Sequence, residues 1–179
     1  MIKKEKIITY TWLTSIIIII SIGVFLILQR PSTEAVSAHK ELLAMAEKIR
    51  RHYKNKPDYW GLSTSEVVKN KLYSGKLTNN QVINSLGKHV VIGADIAGNP
   101  VMPRMRSFII GYKGLSKKEC IELGSFIWNE EDKLGLLYMQ INSGNTEHNF
   151  DWSEGGLPLS RNRAKQFCKD SNNLIWAFE

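Results

Sequence analysis

The chain has 179 residues, a formal net charge of +7 and 43% hydrophobic residues, long enough for one compact domain with its own core beside a separate apolar segment. From residue 31 onward, 20 Lys and Arg stand against 16 Asp and Glu, a mild, scattered excess without the clustered basic face that nucleic acid requires. No HExxH or CxxC is present, so zinc hydrolysis lacks its ligand set.

Residues 7–28 carry no charge, and from Trp12 to Leu28 every face of a helix would be apolar. At about 1.5 Å per residue this helix is roughly 33 Å long, enough to cross a bilayer core of about 30 Å. Its apolar body is Ile16, Ile17, Ile18, Ile19 and Ile20 with Val24, Phe25 and Leu26. Lys3, Lys4 and Lys6 precede the run while Arg30 alone follows closely, which keeps residues 1–6 cytoplasmic and sends the rest outside. The expected topology is single-pass, with the N-terminus cytoplasmic and the head exported. A cleaved signal peptide is the competing reading, with "AVSAHK" as its cleavage region. A signal cut follows its apolar stretch closely, however, and Ala38 lies well beyond Leu28.

After "QRPSTE", Ala38, Leu42, Met45, Ile49 and Tyr53 recur at helical spacing among Lys, Glu and Arg, predicting an amphipathic helix within 29–55. Pro31 kinks or breaks the chain before it, and Ser32 or Thr33 can cap it ahead of Glu34. In the head, residues 56–179, Ser63 and Glu66 predict a capping box for a short helix through about Leu72. Asn79 opens a second expected helix ending at Gly87.

"HVVIGADI", "SFIIGY", "GLLYMQIN" and "LIWAF" are short β-branched and aromatic runs bounded by Gly, Pro and Asn, which predicts strands. Ser116 and Glu119 form another capping box, opening a helix with Cys120, Leu123 and Ile127 on one face. A last helix spans about 160–170 and carries Cys168. The order predicts an α+β class with a mostly antiparallel sheet.

On the oxidising side of a membrane, the two cysteines invite one disulfide, Cys120 to Cys168. It would close a loop of about 49 residues, worth roughly 4 kcal/mol in the chain-entropy model. Two unlinked buried thiols are the alternative.

"SFIIGYKGLSKKECIEL", in which a strand runs through Gly114 and Leu115 into a cysteine-bearing helix, resembles the head of type IVb pilins. "YWGLSTSEVVKNK" upstream and "AKQFCKDSNNLIWAFE" downstream are similar to family segments in the same order, so the resemblance spans most of the chain. It implies a type IV pilin-like fold, with a long N-terminal helix packed by its rear half on an antiparallel sheet and the cysteines bonded around a variable region. It also implies a role as a structural subunit, whose apolar half-helix is a membrane anchor first and filament core later, with other pilin subunits and the pilus assembly machinery as partners. An ungapped match through Ser21, Gly23, Val24, Gln29 and Arg30 places Thr9 where the family keeps a glutamate, and Lys4 where it keeps a glycine before the processing site. Glu5 is acidic but lies four residues early. Glu5 and Thr9 therefore mark the assembly or processing region, and the departures fit a minor or atypical pilin.

Other chemistry is sparse. Glu147, His148, Asp151 and Glu154 gather in "NTEHNFDWSEGG", which reads as a polar surface loop without the regular acidic spacing of a calcium loop, so no metal is expected. His39, His52 and His89 are scattered, Ser160 reads as a helix N-cap with no GxSxG around it, and Trp60, Trp128, Trp152 and Trp176 read as core or interface packing. No cofactor and no enzymatic activity are expected. Beside the pilin-like subunit stands a second reading, a membrane-anchored module whose exported head binds a partner without polymerising; an exported hydrolase would require titratable groups clustered in one cleft.

Overall fold

The computed structural model describes residue 18 and residues 30–95, 105–128, 135–152 and 156–179. The chain divides into two compact units, Met1–Ser32 and Thr33–Glu179. In the first unit, Ile18 is helical and residues 30–32 are not. The other residues named for the apolar run, and Glu5 and Thr9, lie outside the described residues. Among the described residues no helix is long and apolar enough to cross a membrane.

The second unit opens with α1, Thr33–Tyr53, which buries the stripe read from the sequence, Ala38, Leu42, Met45, Ile49 and Tyr53, and adds Ala35 and Ala46 to it. Glu34 in its first turn and Arg50 and Arg51 in its last complement the helix dipole. The stripe lies on a five-stranded antiparallel sheet in the order β3-β4-β7-β5-β6, built from Val90–Ala94, Phe108–Leu115, Asn172–Phe178, Leu136–Ser143 and Thr146–Asp151 in that spatial order. The last strand of the chain is thus the central one. Alternation sends Ile92, Ile110, Tyr112, Leu174, Trp176, Met139 and Ile141 into the core with α1.

Short helices α2 (Thr64–Lys69), α3 (Lys117–Gly124) and α4 (Arg161–Phe167) complete the unit with the small hairpin β1 (Lys76–Thr78) and β2 (Gln81–Ile83). This hairpin replaces the helix expected over 79–87. Asn79 and Asn80 adopt φ of 49° and 59°, the left-handed pair of a two-residue hairpin turn, which asparagine tolerates better than most residues. Leu77 then faces Val82 across the pair. Gly87 is left-handed as expected, φ 72°, but in the turn leading to β3 rather than at a helix end.

The α2 N-cap is half of the expected box. Ser63 Oγ accepts from Glu66 N at 3.2 Å, while the Glu66 carboxylate turns to Asn70 Nδ2 at 2.7 Å.

Candidate functional site

The features that the sequence reading assigned to the head converge at one end of the sheet. Gly114, φ 70°, shifts the β4–β7 register, and the chain then enters α3 through a complete capping box. Ser116 Oγ accepts from Glu119 N, and Glu119 Oε2 accepts from Ser116 N at 2.7 Å. Lys88 Nζ reaches the same carboxylate at 3.2 Å. Burial alone would raise the Glu119 pKa, but the Ser116 hydrogen bonds and Lys88 outweigh it and hold the carboxyl below the ordinary glutamate value. Helix α3 presents Cys120 and Leu123 to the core, whereas Ile127, expected on the same face, lies past the helix end and is 74% exposed.

Cys120 and Cys168 are bonded, with S–S 1.99 Å and Cα atoms 5.8 Å apart, and both are fully buried. Ser160 caps α4 by accepting from Arg163 N at 3.3 Å, as its N-cap reading predicts. Helix α4 ends at Phe167, three residues short of the expected limit, and Cys168 is its C-cap.

Beside the disulfide, the buried Asn172 amide ties three segments together. Asn172 Nδ2 donates to Leu115 O at 3.1 Å and to Lys169 O at 2.7 Å, and Asn172 Oδ1 accepts from Lys169 N and from Ser143 Oγ, both at 2.7 Å. The ends of β4 and β5 and the start of β7 are thereby fixed around the bridge.

At the outer edge of this lobe, "TEHNFD" is strand β6, not a loop. Between β6 and α4 lies an open cleft of about 420 Å³ lined by Glu147, His148, Asn149, Phe150, Arg163 and Phe167 among others. The His148 and Phe150 rings lie 4.6 Å and 5.0 Å from Phe167. Glu147, His148 and Asp151 are therefore spread along a strand, Glu154 lies outside the described residues, and no group of three potential metal ligands occurs among the described residues.

The remaining predicted residues separate. His39 is buried on α1, stacked on Phe126 at 3.7 Å and edge-on to Trp128 at 4.8 Å. His52 packs beside Tyr53, and His89 bridges to Ile83. Trp128 and Trp176 are core residues and Trp152 donates to Leu136 O at 2.7 Å, but Trp60 is 71% exposed and packs in no core. One polar cluster escaped sequence reasoning. Buried Asp95 accepts from Ser107 Oγ at 3.0 Å and from Tyr138 OH at 3.2 Å, so burial and the Asp95 charge push Tyr138 up to about 12. Nothing local in the sequence signals it, because its members lie on three separate segments.

A long helix on a central antiparallel sheet, with a disulfide-closed lobe at one side, defines a type IV pilin-like fold of class α+β. Solved pilin structures match it, two of them as follows. The type IVb pilin of Salmonella typhi aligns with TM-score 0.54 at 16% identity, covering 78% of this chain and 95% of that one. The type IV pilin TcpA of Vibrio cholerae El Tor biotype aligns with TM-score 0.57 at 14% identity, covering 83% of this chain and all of that one. No protein-family model matches the chain, and no curated protein does.

Proposed function

We propose that the chain is a structural, non-enzymatic subunit of a type IVb pilin-like filament in a pilus or related secretion system, minor rather than major. Residues 7–28 anchor it in the inner membrane and then join the filament core among neighbouring pilin helices. A helix apolar all round is satisfied by lipid tails or by other apolar helices, so the exchange needs no chemistry. The observation that carries this reading is the fold shared with two pilins over most of the chain. The test is to shear filaments from cells and probe the sheared and membrane fractions for this chain. Recovery in the sheared fraction at low stoichiometry beside another pilin supports the reading; recovery only in membranes rejects it.

Thr9 and Lys4, standing where the resemblance calls for glutamate and glycine, favour a second reading. In it the chain stays anchored and its exported head binds a partner of the assembly machinery without polymerising.

A further inference from the structure

Strand β6 ends the sheet, and the hairpin fixes which of its backbone groups face away. Ser143 and Thr146 flank a two-residue turn at Gly144 and Asn145, so they form its closing hydrogen-bonded pair. Alternation then points the N–H and C=O of Thr146, His148 and Phe150 at β5, and those of Glu147, Asn149 and Asp151 outward.

The chain itself uses the last of these. Leu157 N donates to Asp151 O at 2.6 Å, and Gly156 lies so close that a Cβ there would collide with the same carbonyl. Among the described residues no strand pairs at the next two outward positions, Asn149 and Glu147. The cleft against α4 runs alongside them, walled by Phe167, His148 and Phe150.

Edge groups unpaired among the described residues, beside a helix-walled cleft of mixed lining in which Phe150 and Phe167 supply the apolar surface, meet the requirements for accepting an added strand. The side chains select its chemistry. Glu147 lies on the outer sheet face, where it takes hydrogen bonds from the Gln140 and Asn149 amides. Among the described residues no cation forms an ion pair with it, and Arg163, the cation of the cleft lining, stands 5.9 Å from the Phe150 ring. A β6 strand from a second copy would bring further carboxylates, Glu147 or Asp151, against it, and like charges directly opposite are destabilising.

We propose that the β6–α4 groove binds an extended segment of a partner protein, pairing at Glu147 and Asn149. The segment places a Lys or Arg opposite Glu147 and an apolar side chain against Phe167. This inference does not depend on the filament reading.

The test uses the full chain in detergent micelles and a blocked heptapeptide alternating valine with lysine, against one alternating valine with glutamate. The lysine peptide is expected to bind and to slow hydrogen exchange at the Glu147 and Asn149 amides. Asn149→Pro removes an outward N–H that serves no internal ladder, and should weaken binding about tenfold or more while leaving β7 exchange unchanged. Glu147→Lys should reverse the preference toward the glutamate peptide, which a merely unfolded variant could not do. The proposal is overturned by an absence of protection at millimolar lysine peptide, by equal preference in wild type and E147K, or by concentration-dependent protection of both amides without peptide, which would mean a second copy pairs there.

Discussion

The Tyr112 hydroxyl donates to the Ala38 carbonyl of α1 across 2.7 Å, in the fully buried interior between helix and sheet. The bond adds a directional contact between α1 and β4 to the apolar packing of Leu42, Met45 and Ile110. It also accounts for the environment of the phenol, because burial, with the Glu41 charge adding to it, pushes the Tyr112 pKa well above 10. Tyr112→Phe keeps the ring and its edge-on contact with Trp176 at 5.1 Å and removes only the bond. We expect a loss of about 1 kcal/mol, read as a fall of roughly 2–4 °C in Tm.

The disulfide gives a larger effect. Replacing Cys120 and Cys168 together by serine frees a loop with sequence separation 48 and should cost about 4 kcal/mol by chain entropy. Denaturant unfolding should show the midpoint fall, with the earliest loss of amide protection around α3, α4 and the Asn172 node.

Acid should act through Glu119. Its folded pKa is below the ordinary value of 4.5, so the stability it contributes is present above that value and is lost as pH falls through the folded one. Comparing wild type with Glu119→Gln, the stability difference should be under about 1 kcal/mol near neutrality and should close as pH drops below 4.5. A constant difference across that range would contradict the assignment.

Alkali should act through Tyr138. Its pKa is raised to about 12 from 10, so the folded protein keeps a proton that the unfolded chain loses. The contribution is complete below pH 10 and is lost as pH rises from 10 to 12. Tyr138→Phe should flatten the alkaline fall in stability over that window, and ultraviolet titration should show one fewer late-ionising phenol.

Much of the fold was legible because burial and period coincide. The stripe Ala38, Leu42, Met45, Ile49, Tyr53 is a long helical pattern, and the strands of the central sheet are rich in β-branched and aromatic residues. Hairpin β1–β2 was not, because only Val82 of its six strand residues is buried and its turn depends on two left-handed asparagines. Strand β6 was not either. It is an edge strand in which Phe150 alone is buried, so its composition is that of a loop. Ile127 failed for the opposite reason: its spacing continues the α3 face, but α3 stops at Gly124. In the lobe, the cysteines and the Ser116 and Ser160 caps were readable from local spacing, while the Asn172 and Asp95 contacts join segments distant in sequence.

The most direct test of the filament account is the mature N-terminus, by intact mass and N-terminal peptide mapping of the chain recovered from sheared filaments and from membranes. The account predicts a filament-borne chain cut within residues 1–9, so that it keeps residues 10–28 and begins between residues 2 and 10, as prepilin-type processing at a non-standard site would leave it. An intact Met1 would point to the anchored, non-polymerising reading. A mature chain beginning after Ala38 would contradict it, because the segment proposed to anchor and polymerise would be gone.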